Sequence, residues 1–464
     1  MVRVANGVTV VIGLGVSGQA ICRHLARQGR PFVVADTRSE PPGLGLFQVQ
    51  YPNVEVYCGP LNEVDFTNAY EVVLSPGVDP RSPGLEGLLE RKNAATGEPM
   101  LVGEIALFAR AVQAPIAAIT GSNAKSTVTT LLGEMAVAAG VKAAVGGNLG
   151  TPALDLLADY PDAELYILEL SSFQLETTPY LGAKAVAFLN ICEDHLDRHG
   201  DMSGYLQAKQ RIFWGAQSAV VNADDSHTWP DTPVPHIERF TAFSPTGNDW
   251  GLTEKHEKLT LVHGDTALVR AEALAIAGRH NYLNALAALA MGDALGFAQR
   301  PMCQALERFK GLPHRSEVIA CIDDVMWVND SKGTNVGATL AAIQGISATL
   351  KGKLILLAGG VGKGADFTPL ASPLAACAKT ALLFGADAQR LADALSSSIS
   401  VHAVENLTQA MEMASELAAP GDCVLLSPAC ASLDQFANYQ ARGEAFRHWV
   451  KQKYEAHHCS GAGL

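Results

Sequence analysis

The sequence predicts an α/β protein of three domains, each built on a mostly parallel sheet flanked by helices. Three observations carry this. Short apolar runs alternate with stretches of helical pattern along most of the chain, as in strand–helix–strand units. Several runs end in a glycine-rich or polar turn, Gly13–Gly18, Thr120–Thr127 and Gly359–Gly364 being the clearest. Ligands of open α/β sheets bind at such strand ends. A length of 464 residues corresponds to roughly three domains of about 150 residues.

With 48% hydrophobic and 17% charged residues the chain has ample core. Its net charge of −13 argues against a nucleic-acid partner, which calls for a basic footprint. Anionic substrates would have to be held by local Lys, Arg and helix N-termini. The nine cysteines form no C-x-x-C pair, which speaks against zinc ribbons and for a reducing cytoplasm. No secretory apolar region precedes the first strand, and no apolar run reaches the ~18 residues of a membrane span.

In the N-terminal third, Val8–Ile12 reads as a strand entering Gly13-Leu14-Gly15-Val16-Ser17-Gly18, a full G-x-G-x-x-G. A helix carrying Ile21, Leu25 and Ala26 follows and ends at Gly29; Phe32–Ala35 is a second strand, closed by Asp36. This is a Rossmann-like dinucleotide fingerprint, although any phosphate-bearing nucleotide could use the loop. Val72–Leu74 ends in the turn Ser75–Val78, and Arg38 stands ready for a phosphate or for solvent.

In the middle third, the apolar run Ile116–Ile119 leads into Thr120-Gly121-Ser122-Asn123-Ala124-Lys125-Ser126-Thr127, and a helix follows over Val128–Ala139. Strand, polar loop and helix start make an anion site in which Lys125 adds a charge and the Ser126 or Thr127 hydroxyl can hold Mg²⁺. The loop departs from G-x-x-x-x-G-K-[ST] at Ile119 and Ala124. A left-handed backbone at Ala124 would be costly, whereas a helical one would be harmless. Leu165–Leu170 is a strand carrying Glu169, whose carboxylate requires a partner, either a metal or a buried cation. Val186–Leu189 ends in an acid-and-His cluster with Glu193, Asp194 and His195. Lys209 lies one turn from both Tyr205 and Phe213, so its stem belongs to an apolar face. Residues 226–268 read as a small meander, and Asn281 and Asn284 share a face of an Ala-rich helix.

In the C-terminal third, Leu312–Ser316 reads as a domain junction. Val325–Val328, Leu354–Ala358, Ala381–Phe384 and Cys423–Leu426 read as strands. Two strand ends place Lys beside Gly, at Lys332-Gly333 and Lys363-Gly364, as an anionic substrate requires. The tail from Tyr454, with His457-His458-Cys459, reads as frayed.

Taken together these motifs resemble the Mur ligase family over nearly the whole chain. The resemblance implies three domains: a UDP-substrate domain over 1–104, a P-loop-like ATP domain over 105–311 and an amino-acid domain over 312–464. It implies ATP contacts at Gly121 to Thr127, Asn281, Asn284, Arg315 and Asp330. It implies two Mg²⁺ near Ser126, Thr127, Glu169 and His195, with Lys209 carbamylated and orienting one of them. Lys125, Glu169, His195 and Lys209 would be the catalytic set. The uridine nucleotide would meet Gly15, Val16, Ser17, Asp36, Thr37, Arg38 and Gly77, with Asn148 and Ser171 on the muramoyl side. Asn329–Asn335 points to the branch of the family that adds D-glutamate to UDP-N-acetylmuramoyl-L-alanine. In that branch Lys332, Thr334, Lys363, Ser432 and Leu433 would meet the amino acid, with Tyr439 near. The implied protein is a cytoplasmic monomer of peptidoglycan precursor synthesis.

Two other readings compete. A nicotinamide-dependent oxidoreductase would use Gly13–Gly18 and Asp36 but would leave Lys125, Glu169, His195 and Lys209 without roles. A non-catalytic nucleotide-binding protein would bind without turnover.

Overall fold

A computed structural model describes residues 2–93, 96–255, 258–276, 278–347 and 350–461; the side chains of 255 and 456–461 lie outside the description. The chain forms two compact units. The first comprises Met1–Ile191, Ser203–Val269 and Asn284–Glu307; the second comprises Cys192–Met202, Arg270–Leu283 and Arg308–Leu464.

The first unit carries two large sheets. One has five parallel strands in the order Val56–Cys58, Phe32–Asp36, Thr9–Ile12, Val72–Leu74, Leu101–Gly103. The first of these strands in chain order, Thr9–Ile12, is central, with later strands added on both sides, so the order reverses beside it and opens a crevice at its carboxyl end. Gly18 shows why the fingerprint spacing matters. A Cβ there would lie 1.8 Å from the Gly13 carbonyl oxygen, so only glycine lets the helix Val16–Arg27 start this close to the strand. Side chains alternate across the sheet: Val11 faces one core, Val10 and Ile12 the other.

The second sheet has nine strands. Ile116–Thr120 lies between Ala185–Phe188 and Leu165–Glu169, with Ala143–Gly147 at the edge, all parallel. The irregular region expected over 226–268 supplies His236–Phe240, Trp250–Lys255, Lys258–His263 and Thr266–Arg270 on the other side; Trp250–Lys255 pairs antiparallel with Lys258–His263. One apolar core, from Val11 and Leu25 to Phe108, Leu154 and Phe188, joins the two sheets' helices.

Glu104 lies inside this core, buried at the start of the helix Glu104–Ala111 and accepting the Leu154 N–H at 3.1 Å. Burial pushes its carboxyl up to about 7, against the lowering effect of the Leu154 N–H and the Ser17 hydroxyl. Because the folded value exceeds the unfolded one, this group's contribution is most favourable below about pH 4.5 and is lost as pH rises through about 7. At pH 8 that cost is on the order of 3 kcal/mol. Glu104→Gln should therefore raise the unfolding midpoint clearly at pH 8 and little at pH 5; equal shifts at both pH values would contradict this.

The second unit holds a six-stranded sheet in the order Glu317–Ile322, Val325–Asn329, Cys423–Leu426, Leu354–Gly359, Ala378–Phe384, Ser400–Ala403. Only the first pair is antiparallel. Leu354–Gly359 is buried on both faces: Leu354, Leu356 and Ala358 face one core, Ile355 and Leu357 the other. That double burial explains its uninterrupted apolar sequence. The expected frayed tail is corrected. Trp449 packs on Trp327, whose rings lie 5.2 Å apart, and one helix runs over Tyr439–Gly461. The His457, His458 and Cys459 side chains fall outside the described residues.

Candidate active site

The phosphate loop sits where its sequence places it, between the strand Ile116–Thr120 and the helix Lys125–Ala138. Lys125 Nζ donates to the carbonyls of Gly121 at 2.8 Å and Ser122 at 3.0 Å, which curls the ammonium over the loop. Asn190, to which the sequence analysis gave no role, pins the loop. Its Oδ1 accepts the Asn123 N–H at 2.9 Å and its carbonyl accepts the Ser122 N–H at 2.9 Å. The open question at Ala124 is answered: its φ is 66°, left-handed, immediately before the helix. A Cβ in this region costs about 1 kcal/mol or more. Ala124→Gly should raise stability by about 0.5–1 kcal/mol, part of the relief being offset by glycine's freedom in the unfolded chain. A lower unfolding midpoint for Ala124→Gly would refute the strain.

Glu169 ends its strand beside Ile119 and Gly147. It is 3% exposed. Ser126 Oγ donates to one carboxylate oxygen at 2.5 Å and Asn148 Nδ2 to the other at 2.7 Å. A hydroxyl and a carboxylate at a helix start form the all-oxygen donor set of a hard cation beside a phosphate. The residues therefore fit Mg²⁺, with Ser126 and Glu169 as holders and Thr127 buried on the next helical residue.

Lys209 is 1% exposed, with Tyr205 and Phe213 buried as the helical spacing required. Its Nζ donates to the Gly121 carbonyl at 2.7 Å, approaches Thr120 Oγ1 at 3.4 Å and lies 4.7 Å from the Tyr205 ring centre. The sequence gap between 121 and 209 thus closes onto one loop.

At the crevice of the five-stranded sheet, Gly15 precedes the helix Val16–Arg27, with Val16 71% exposed and Ser17 in its first turn. Asp36 is buried and serves the loop itself, accepting the Leu14 N–H at 2.7 Å and the Arg38 guanidinium at 2.7 and 2.8 Å. Burial raises the Asp36 carboxyl, but these bonds outweigh it and hold the group below the usual carboxylate range. Thr37 is exposed, and Gly77 has open space around its Cα. Ser171 caps the helix Ser172–Glu176 in a reciprocal pair with Gln174. Asn281 and Asn284 stand three apart at the start of the helix Arg279–Leu295.

In the second unit three strand ends converge. Asp330 accepts the Ser427 hydroxyl at 2.7 Å and the Ser316 N–H at 3.0 Å; burial pushes its carboxyl up to about 6. Arg315 lies between His314 and Ser316, both at positive φ. Lys332 Nζ lies 4.0 Å from the Tyr439 ring centre. Ser432 is buried, while Leu433 is 71% exposed. Lys363, at φ 51°, meets the carboxylate of Asp194 at 2.6 Å. His195 follows at φ 55°, before the short helix Leu196–His199. Burial raises the Asp194 carboxyl, but the Lys363 and His195 charges and the Asn335 amide hold it below the usual range. Arg442, to which the sequence analysis gave no role, is fully buried and donates to the Ser331, Cys430 and Gly359 carbonyls, tying the three loops together. Burial lowers it to about 10.

A phosphate loop with a buried acid at its mouth, flanked in the chain by two further, mostly parallel sheets, defines a class: multidomain α/β proteins built to bind a nucleoside phosphate. Family profiles specify it further. That for the Mur ligase MurD-like N-terminal domain matches residues 7–97, that for the Mur ligase middle domain matches 119–292, and that for the Mur ligase glutamate ligase domain matches 314–430. The chain belongs to the Mur ligase family. It is 60% identical to the UDP-N-acetylmuramoylalanine--D-glutamate ligase of Chromohalobacter salexigens, over 98% of this chain and 100% of that one. It is 50% identical to the enzyme of the same name from Pseudomonas aeruginosa, over 96% and 97%. Its fold is similar to the solved UDP-N-acetylmuramate-alanine ligase of Thermotoga maritima, with TM-score 0.58 at 17% identity over 96% of this chain and 99% of that one.

Proposed function

We infer that this chain is the ATP-dependent ligase that joins D-glutamate to UDP-N-acetylmuramoyl-L-alanine, releasing ADP and phosphate, in peptidoglycan precursor synthesis. One observation carries the chemistry: the Lys125 ammonium, the Ser126 hydroxyl and the buried Glu169 carboxylate are gathered around a single strand–loop–helix turn. The whole-length identity to relatives bearing that ligase's name carries the choice of substrates.

In this reading a carboxylate oxygen of the L-alanyl group attacks the γ-phosphorus of ATP and ADP departs, leaving an acyl phosphate. The α-ammonium of D-glutamate gives a proton to solvent, the free amine attacks the acyl carbon, the adduct loses a second proton, and phosphate leaves as the amide forms. The loop residues Gly121 to Ala124 and the start of the helix Lys125–Ala138 are assigned to the phosphates, and Lys125 uncurls from its carbonyls to answer their charge. Two Mg²⁺, when bound, neutralise the charge that builds on the phosphoryl oxygens. Ser126, Glu169 and the Thr127 hydroxyl would hold one; His195 belongs to the same set. Asn281, Asn284, Arg315 and Asp330 are assigned to the nucleoside of ATP. Gly15, Val16, Ser17, Asp36, Thr37, Arg38 and Gly77, with Asn148 and Ser171, are assigned to the UDP substrate. Lys332, Thr334, Lys363, Ser432, Leu433 and Tyr439 are assigned to D-glutamate. The ranges 1–104, 105–311 and 312–464 remain the proposed functional domains, each containing one of the three large sheets.

Lys209 is proposed to work as a carbamate. An ammonium this buried is costly unless fully answered. Carbamylation by CO₂ would replace it with an anion that could turn toward a metal while keeping the stem on Tyr205 and Phe213. The chain is proposed to act as a monomer in the cytoplasm. The eight described cysteines are free thiols, the chemistry of a reducing compartment. Sedimentation at twice the chain's mass would overturn the monomer.

The test of the acyl phosphate is isotopic. With ¹⁸O in the L-alanyl carboxylate, one label should appear in the released phosphate in each turnover with D-glutamate. Unlabelled phosphate would reject this route.

A further inference from the structure

Asp194 is outside the set assigned above, yet it forms one wall of the cavity that carries two members of that set. The cavity, about 10 Å³ with the ion pair closed across it, lies within the second unit and is lined by Glu193, Asp194, Thr334, Asn335, Gly362 and Lys363, among others. Three separate segments place these groups. Asp194 precedes the short helix Leu196–His199, Asn335 ends the loop after Val325–Asn329, and Lys363 lies in the loop after Leu354–Gly359. The Asp194 carboxylate is 8% exposed. One oxygen accepts the Lys363 ammonium at 2.6 Å and the His195 N–H at 3.0 Å. The other accepts the Asn335 amide at 3.1 Å. His195 Nε2 lies 3.7 Å away. Lys363 and Asp194 are thus an ion pair built from two strained turns, with φ values of 51° at Lys363 and 55° at His195. Strain of this kind persists where the surroundings impose it, and it concentrates at functional sites.

An amino diacid carries two carboxylates and one ammonium. Lys332, Lys363 and Thr334 answer carboxylates and none of them answers an ammonium. We propose that Asp194 is the residue that reads the α-ammonium of D-glutamate, its partnership with Lys363 opening to admit the zwitterion between them. The inference rests on the ligase reading above. It predicts that the site distinguishes an amino diacid from a plain diacid of the same length. Glutarate offers Lys363 the same carboxylates but sets no cation against Asp194, so a buried carboxylate faces like charge.

The experiment uses the full-length enzyme, with phosphate release as the rate and glutarate as the competing diacid. Asp194→Asn should raise KM for D-glutamate about 10- to 100-fold, the range for losing one partner of a desolvated charge pair. The Ki of glutarate should stay the same or fall. KM for ATP and for the UDP substrate, and the Mg²⁺ concentration for half-maximal rate, should each remain within about twofold. Asp194→Glu, which keeps the charge, should keep the preference for D-glutamate over glutarate. Equal weakening of D-glutamate and glutarate by Asp194→Asn would overturn the proposal, since Asp194 would then only position Lys363. Loss of the preference in Asp194→Glu would overturn it as well, and decides the matter if Asp194→Asn does not fold. Failure of the unsubstituted chain to release phosphate in response to D-glutamate would overturn the ligase reading instead, and this inference with it.

Discussion

Lys209→Ala is expected to lower kcat by about 10²- to 10³-fold, with partial recovery when a small carboxylate such as formate or acetate is added. The size follows from what the group would do. A carbamate close to Gly121 would help hold a Mg²⁺ in a site closed to water, where one lost electrostatic contact costs two to three orders of magnitude. Removing the side chain leaves a space under Tyr205 and beside the Thr120 hydroxyl. An external carboxylate can enter that space and supply the missing anion. Chloride at matched ionic strength has no such shape and should give no recovery. Full activity of Lys209→Ala would end the carbamate proposal. Loss without any rescue, alongside normal folding, would assign the lysine to the loop as a plain cation.

Lys125→Ala is the second large effect, an expected fall of about 10³-fold in kcat/KM for ATP. The ammonium is folded onto the Gly121 and Ser122 carbonyls at 2.8 and 3.0 Å, so a small rotation brings it to a phosphate over the loop. Lys125→Arg should rescue little, because a planar fork cannot occupy the same tight curl as a compact ammonium. Stability should barely change, since the two carbonyls can turn to water. A variant with near-normal ATP dependence would remove Lys125 from the site.

These two residues differ in how readable they were. Lys125 was legible because strand, loop and helix are local: Ile116–Ile119 is apolar throughout, as a strand buried on both faces must be. Leu354–Gly359 was legible for the same reason. Ala143–Gly147 was not, since Ala-Ala-Val-Gly-Gly has little strand preference and is held by its ladder to Leu165–Glu169. Val56–Cys58 and Ser400–Ala403 are short edge strands whose pattern is too brief to read. Asn190 and Arg442 went unread because their partners are distant in sequence. Arg442 sits in a helix that looks solvated, yet its guanidinium satisfies carbonyls on three loops. The sign of φ at Ala124 could not be inferred from residue types, because alanine argues for the helical value and the loop imposes the other.

Asp194 and Glu169 make a similar contrast. Both are acids that follow apolar runs, but only Glu169, inside its strand, demanded a partner on burial grounds; Asp194 read as one member of a polar cluster. Glu169 accepts from a hydroxyl and an amide. Asp194 meets Lys363, a cation already in place. The sequence shows the need for Glu169 alone; the burial of Asp194 and its cation partner emerge only from the fold.

The central claim is that this chain couples ATP cleavage to amide formation between two specific partners. Phosphate release from ATP and Mg²⁺ should be near background with UDP-N-acetylmuramoyl-L-alanine alone and with D-glutamate alone, and should rise strongly with both, one phosphate per amide. Phosphate released at the same rate with either partner omitted would contradict it.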